Sequence, residues 1–163
     1  DHARARGLLV SYDPNLRLAL WPDADAARAG MQIGLDYADI VKISEDEVDF
    51  LVDGDVAQLW REQTKLVVVT YGAGGSAAYV RGQPEPVARH TGYTVTSVDT
   101  TGAGDGFVAG LLAGILEHHD DYLDRLEALL CFANGVGALA TTQRGAIPAL
   151  PTRAQVDAFV ECD

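Results

Sequence analysis

The chain has 163 residues, 48% of them apolar, enough to bury one sizeable core, so a single domain over 1–163 is expected. Its 12 Lys and Arg against 24 Asp and Glu give a formal net charge of −12, which repels nucleic-acid phosphates and anionic lipid headgroups and excludes both as partners for the surface as a whole. No apolar stretch approaches the roughly 20 residues that span a bilayer, and no charged segment leads into an apolar targeting core. Cys131 and Cys162 lack metal-like spacing and are too few for a disulfide-dense secreted scaffold, so the chain reads as a protein of a reducing cytoplasm.

The first residue is Asp1, not Met, and Asp1 to Arg6 reads as the charged end of a helix, so a piece of something longer is expected. Gly7 to Tyr12 (GLLVSY) is a short strand broken by Asp13-Pro14-Asn15. Asp23 to Ala38 spaces Ala26, Ala27, Met31, Ile33, Leu35 and Ala38 with a helical period, although Gly30 and Gly34 weaken the pattern. Ile40 to Ile43 is a second strand, and Ser44 with Glu47 opens a helix containing Val48, Phe50 and Leu51. Leu66 to Tyr71 is an unbroken β-branched run of the kind buried in a parallel sheet, followed by a turn over Gly72 to Gly75. Ser76 to Val80 and Glu85 to Arg89 read as short antiparallel additions around the turn at Gly82 to Pro84. Apolar residues recur at helical spacing from Gly106 to His118 and from Tyr122 to Thr142, and Thr152 caps a last helix to Glu161. Strands alternating with helices imply an α/β layered sheet with crossover connections.

The segment that carries chemistry is Val98 to Phe107, VDTTGAGDGF. Gly102, Ala103 and Gly104 form a turn at a helix start, where backbone N–H groups and the positive end of the helix dipole make an anion site suited to a phosphoryl group in transfer. Asp105 stands at the mouth of that site as a base for an attacking hydroxyl. From these residues alone, a tight turn followed by an ordinary helix-start carboxylate is an equally good account.

The segment resembles the signature DTxGAGDxF of the PfkB, or ribokinase-like, family of carbohydrate kinases, with Asp99, Thr100, Gly102, Ala103, Gly104, Asp105 and Phe107 matching every fixed position. The resemblance implies a three-layer α/β/α sandwich with a mostly parallel sheet, Asp105 as catalytic base, and Gly102, Ala103 and Gly104 as the anion hole. It also implies ATP with Mg2+, and a monovalent cation such as K+ held by Asp99 and Thr101 together with main-chain oxygens of Ala140 and Gly145. Lys42 to Glu47 (KISEDE) falls where the family has an Asn-x-x-Glu motif that organises magnesium and phosphate. Ser44 replaces the asparagine and Glu47 is retained, and a helix-capping box explains both residues equally well. Thr70 to Gly75 (TYGAGG) resembles the family's nucleotide-lining turn, which assigns Thr70, Gly72 and Gly75 to the nucleotide along with Lys42, Ser44 and Asn134. Asn134 lies among small residues that also permit close helix packing.

Asp13 to Arg17 (DPNLR) with Trp21-Pro22 resembles a loop of fructokinases and ketodeoxygluconate kinases. The resemblance covers almost the whole chain but only the C-terminal half of a family member, so the sugar-binding residues and the lid, which often mediates dimerisation, are expected upstream. The expectation is therefore the ATP-binding and catalytic portion of a fructokinase-like enzyme, inactive by itself, with small sugars as partners and a homodimer allowed for the parent protein. A 2-keto-3-deoxygluconate kinase is the alternative substrate reading, and a silent PfkB-like binding protein the alternative class. No GxGxxG opens a helix after the first strand, which disfavours an unrelated dinucleotide-binding fold. His118 and His119, followed by two aspartates, read as a solvated helix end.

Overall fold

The computed structural model describes residues 2–162; the expected helix tail is present as α1 (His2–Ala5), and the part of that expectation that falls on Asp1 lies outside the described residues. Five strands follow one another in a sheet in chain order: β1 (Ser11–Tyr12), β2 (Ile40–Ser44), β3 (Leu66–Thr70), β4 (Ser76–Val80) and β5 (Ala88–His90). The chain divides into two compact units, one built from residues up to Thr70 plus Ala78–Pro86, the other from Tyr71–Ala77 plus the residues from Val87 onward.

In the first unit β1, β2 and β3 are parallel, with Tyr12 beside Val41 and Ser44 beside Thr70. Four consecutive residues of β2, Lys42 among them, and four of β3 are buried, as expected when both faces of a strand are covered. Helix α2 (Ala24–Leu35) turns Ala27, Met31 and Leu35 into this core and is capped by the Asp23 carboxylate, which accepts from the Ala26 N–H at 2.8 Å. Helix α3 (Glu45–Val52) buries Val48, Leu51 and Val52. Strand β1 is shorter than the predicted Gly7–Tyr12 run. Gly7 has a positive φ, and the Val10 N–H is taken by the Asp39 side chain at 2.9 Å, so pairing begins only at Ser11. Trp21 packs its ring over Gly30, and the Arg81 guanidinium lies over Trp60 just after a 3₁₀ turn at Val56–Leu59, so both tryptophans pack within this unit.

The second unit is built on α4 (Ala103–Glu117) and α5 (Leu126–Ala140), which bury Phe107, Leu111 and Ile115 against Leu129, Leu130, Ala133 and Val136. The small residues bring the two backbones close: a Cβ on Gly110 would lie 3.1 Å from the Ala133 Cα. Helix α5 starts later than the predicted Tyr122, because residues Tyr122–Asp124 form a separate 3₁₀ turn and Arg125 leaves helical geometry at φ −118. Strand β5 is displaced from the predicted Glu85–Arg89, since Pro84 and Pro86 lack the N–H that a strand ladder needs. The last helix, α6 (Arg153–Asp157), has the predicted Thr152 cap but stops short of Glu161. Beyond it Phe159 stacks on Tyr93, Val160 packs over Gly135, and Cys162 forms a disulfide with Cys131 of α5. The sequence reading, which takes the two cysteines only as a sign of a reducing compartment, does not foresee that bond. His119 is exposed beside Asp120, as expected for a solvated helix end.

Candidate active site

In the first unit the polar residues gather where parallel strands end, the edge at which ligands bind in open α/β sheets. Asp13 follows β1, Ser44 ends β2 and Thr70 ends β3. Lys42, 8% exposed, points its Nζ at the Asp13 Oδ2 at 3.4 Å, and these are the buried cation and its counter-charge. Burial pushes the Asp13 carboxyl above its ordinary range and outweighs the attraction of Lys42, with the nearby Glu47 adding to the rise. Burial first, then the negative charges of Glu47 and Asp13, raises the Tyr12 hydroxyl as well. Thr70 donates its hydroxyl to the Ile43 carbonyl at 3.5 Å, the outer limit of a hydrogen bond.

Ser44 caps α3 in a complete capping box, its Oγ accepting from the Glu47 N–H at 3.4 Å while its own N–H donates to the Glu47 Oε2 at 2.9 Å. The Ser44 hydroxyl donates to the same oxygen at 2.8 Å, and the Leu16 N–H donates to Oε1 at 2.6 Å. Glu47 is 7% exposed, and three of the roughly four acceptor positions of its carboxylate are filled. It does not fit a direct Mg2+ ligand while this box is closed.

In the second unit, residues 72–75 form a tight turn in which Gly74 donates to the Tyr71 carbonyl at 2.9 Å and Tyr71 donates to the Gly75 carbonyl at 2.9 Å. Gly75 has φ +90 and a Cβ there would run into the backbone of His90, so no other residue keeps this turn. Asn134, buried on α5, donates its amide to the Ser76 Oγ and to the Leu130 carbonyl, both at 2.7 Å. Those two bonds use both its N–H groups, so here it joins α5 to the residue after the glycine turn.

The VDTTGAGDGF segment enters α4 through Gly102 in the left-handed conformation, φ +81, with Ala146 pressed against its backbone. The first helical bond is Gly106 N–H to the Gly102 carbonyl at 2.8 Å, and the Ala103 N–H turns back to the Thr100 carbonyl at 3.2 Å. Among the described residues the amides of Gly102, Gly104 and Asp105 find no acceptor, and the Asp105 carboxylate is exposed without a hydrogen-bond or ionic partner. The amides left free at this helix start are thus those of Gly102, Gly104 and Asp105, while Ala103 serves the turn. Neither of two cavities, of about 300 and 400 Å³, includes a residue of this segment.

Asp99 ties the segment down. Its Oδ1 accepts from the Thr101 N–H at 2.9 Å and its Oδ2 from the Gly145 N–H at 3.0 Å. The Thr101 hydroxyl, then these amides and the charge of Arg144, lower its pKa to about 2. Val98 and Asp99 both donate to the Thr141 carbonyl, one residue after Ala140 at the end of α5. Asp99, Thr101 and Gly145 are therefore drawn together, with Gly145 facing Asp99 through its N–H and not through its carbonyl oxygen.

In the sequence Asp13 and Leu16 stand out only as part of the DPNLR loop, with no sign of the bonds they make. Their partners lie 29 and 31 residues away, and only a strand-helix-strand crossover placing the ends of β1 and β2 side by side could have signalled the pairing.

These features agree with what the chain is similar to. It matches the family described as pfkB family carbohydrate kinase over residues 2–153, and belongs to that family. Fructokinase-2 of Oryza sativa subsp. japonica is 45% identical over 160 residues, covering 92% of this chain and 46% of the relative. Among solved structures, fructokinase from Vibrio cholerae O395 in its fructose-, ADP- and calcium-ion-bound form superposes with a TM-score of 0.85 at 39% identity, covering 98% of this chain and 53% of that one. Fructokinase with bound ATP from Xylella fastidiosa gives a TM-score of 0.86 at 32% identity, covering 96% and 53%. The fold is the ribokinase-like α/β fold. The chain spans about half the length of the curated relatives it matches.

Proposed function

We propose that the protein transfers the γ-phosphoryl group of ATP to a sugar hydroxyl, with fructose going to fructose 6-phosphate. The observation that carries this reading is the start of α4, where three unpaired amides and an unpaired, exposed carboxylate stand together at the positive end of a 15-residue helix. The hydroxyl oxygen bonds to the γ-phosphorus as the bond to the ADP oxygen breaks, and the hydroxyl proton passes to Asp105. Amides of Gly102, Gly104 and Asp105 stabilise the charge on the phosphoryl oxygens, which is where most of the acceleration in phosphoryl transfer arises. Fructose is favoured because the relatives described above are named fructokinases.

Lys42, Ser44, Thr70, Gly72, Gly75 and Asn134 belong to the nucleotide side of this proposal, Lys42 as a charge and the rest by shaping strand ends and the glycine turn. ATP would bring Mg2+, which keeps phosphate oxygens and water as its ligands. Asp99, Thr101, Ala140 and Gly145 would hold a monovalent cation such as K+, which adds positive charge near the phosphate site. The chain is the C-terminal ATP-binding and catalytic portion of such a kinase, working in the cytoplasm on small-molecule substrates; no helix among the described residues is long and apolar enough to cross a membrane. A homodimer of the complete protein is part of the same reading.

The test is sugar-dependent ATP consumption by the complete gene product with fructose, 2-keto-3-deoxygluconate and ribose. Fructose should give the largest kcat/KM. A preference for 2-keto-3-deoxygluconate would reassign the substrate, and no turnover with any sugar by folded protein would remove the enzyme reading in favour of a binding role.

A further inference from the structure

We propose that Glu47 is a positioning residue that fixes the Asp13–Arg17 loop at the ends of β1 and β2, and that it acts on phosphoryl transfer through this loop instead of by touching a metal ion. The proposal rests on the kinase reading for its functional consequence, and on the geometry of the first unit for everything else.

A capping box needs one acceptor oxygen at its N3 residue, which glutamine supplies as well as glutamate. Glu47 does more. Its Oε2 closes the box onto Ser44, while Oε1 takes the Leu16 N–H at 2.6 Å, a contact across 31 residues and the shortest distance in this cluster. Only a carboxylate can accept at both ends, because a carboxamide would turn an NH₂ group toward one of the two donors. The loop is held a second time at its other end, where Lys42 meets Asp13 at 3.4 Å and Asp13 Oδ1 accepts from the Asn15 N–H at 3.2 Å. Between the two tethers Asn15 takes a left-handed conformation, φ +46, which a free loop would seldom hold. Both tethers use charged groups that are largely withdrawn from water, where such bonds are strong and unforgiving of a lost partner.

The loop ends on Arg17, which is exposed and donates only to the neighbouring Leu16 carbonyl at 3.1 Å, with no carboxylate beside it among the described residues. In a chain of net charge −12, an unneutralised guanidinium on a doubly anchored loop is a cation held ready for an anionic group. Glu47 thereby links the start of α3 to the placement of that charge.

Amide hydrogen exchange of this chain with Glu47→Gln tests the idea independently of activity. Exchange at Leu16 should rise about tenfold or more, the loss expected for a bond to a charged acceptor, while amides in α3 keep their protection because the capping box survives. In the complete protein the same variant should lower kcat/KM for sugar phosphorylation and leave the Mg2+ concentration giving half-maximal rate unchanged. Unchanged exchange at Leu16, or a raised Mg2+ requirement with Leu16 still protected, would overturn the proposal. Should the variant fail to fold, a scalar coupling across the hydrogen bond between the Leu16 ¹⁵N and the Glu47 carboxylate ¹³C in the unaltered chain decides, its absence counting against the bridge. If the complete protein phosphorylates no sugar, the exchange result still stands, so the two readings fail separately.

Discussion

Asp13 and Asp99 carry the same side chain and are held in opposite ways. Asp13 is withdrawn from water, and its charged form loses more from burial than it gains from Lys42. Asp99 accepts N–H and O–H donors at the surface, all of which favour the charged form. Their contributions to stability therefore run against each other. Asp99, with a folded pKa of about 2, stabilises the fold above the ordinary carboxylate range of about 4, and that contribution is lost as pH falls through about 2. Asp13, raised in the folded state, favours the fold while protonated, and its contribution is lost as pH rises from the ordinary range through its folded value. Side-chain carboxyl ¹³C titration should place the Asp13 midpoint above the ordinary range and the Asp99 midpoint below it. Asp99→Asn should remove the Asp99 part of the acid limb in a pH series of denaturant unfolding. A midpoint for Asp99 at or above the ordinary value would mean that the Thr101 and Gly145 bonds do not hold in solution.

At the level of elements, α5 and the segment after α6 are linked covalently and by packing. Cys131 sits in α5 beside the Tyr93 hydroxyl at 3.0 Å, and Tyr93 stacks on Phe159, so the disulfide closes over an aromatic contact already present. Closing a loop with a sequence separation of 31 removes unfolded-state freedom worth about 3–4 kcal/mol in the chain-entropy account. Reductant should accordingly lower the apparent Tm by about 6–16 °C, and Cys162→Ser should show the lowered value with no further response to reductant. Equal melting of oxidised and reduced protein would show that the packing of Phe159 and Val160 alone holds the segment. The same region shows why some elements were legible and others were not. Strands β2 and β3 and helices α4 and α5 announce themselves by apolar runs or helical spacing within the segment. The end of α6 does not, because the sequence pattern runs on to Glu161 whereas the helix ends at Asp157 with Ala158 as its cap. The break before α5 hid in a continuous helical pattern for a related reason, since apolar spacing reads through a 3₁₀ turn as easily as through a helix.

For the molecule as a whole, the α/β class and the family were legible because the DTTGAGD segment and its neighbours occur in the order the resemblance requires. The candidate site was legible in its residue types and less so in their bonding. The expected trio was Gly102, Ala103 and Gly104; the amides left without an acceptor are those of Gly102, Gly104 and Asp105, while Ala103 spends its N–H on Thr100, which composition does not reveal. Glu47 was read as a choice between metal binding and helix capping, and its second oxygen on Leu16 follows from how β1 and β2 lie together, not from its own neighbours in sequence. On the proposed function, a chain of net charge −12 must rely on such local donors to hold a polyphosphate, since the surface as a whole repels it. The central claim is that Asp105 takes the proton of the attacking hydroxyl beside those donors. Its most direct test is Asp105→Asn in the complete protein, measured for turnover and for ATP affinity together. The account predicts a loss of about 10²–10⁴-fold in kcat with ATP affinity little changed; turnover that survives the substitution would contradict it.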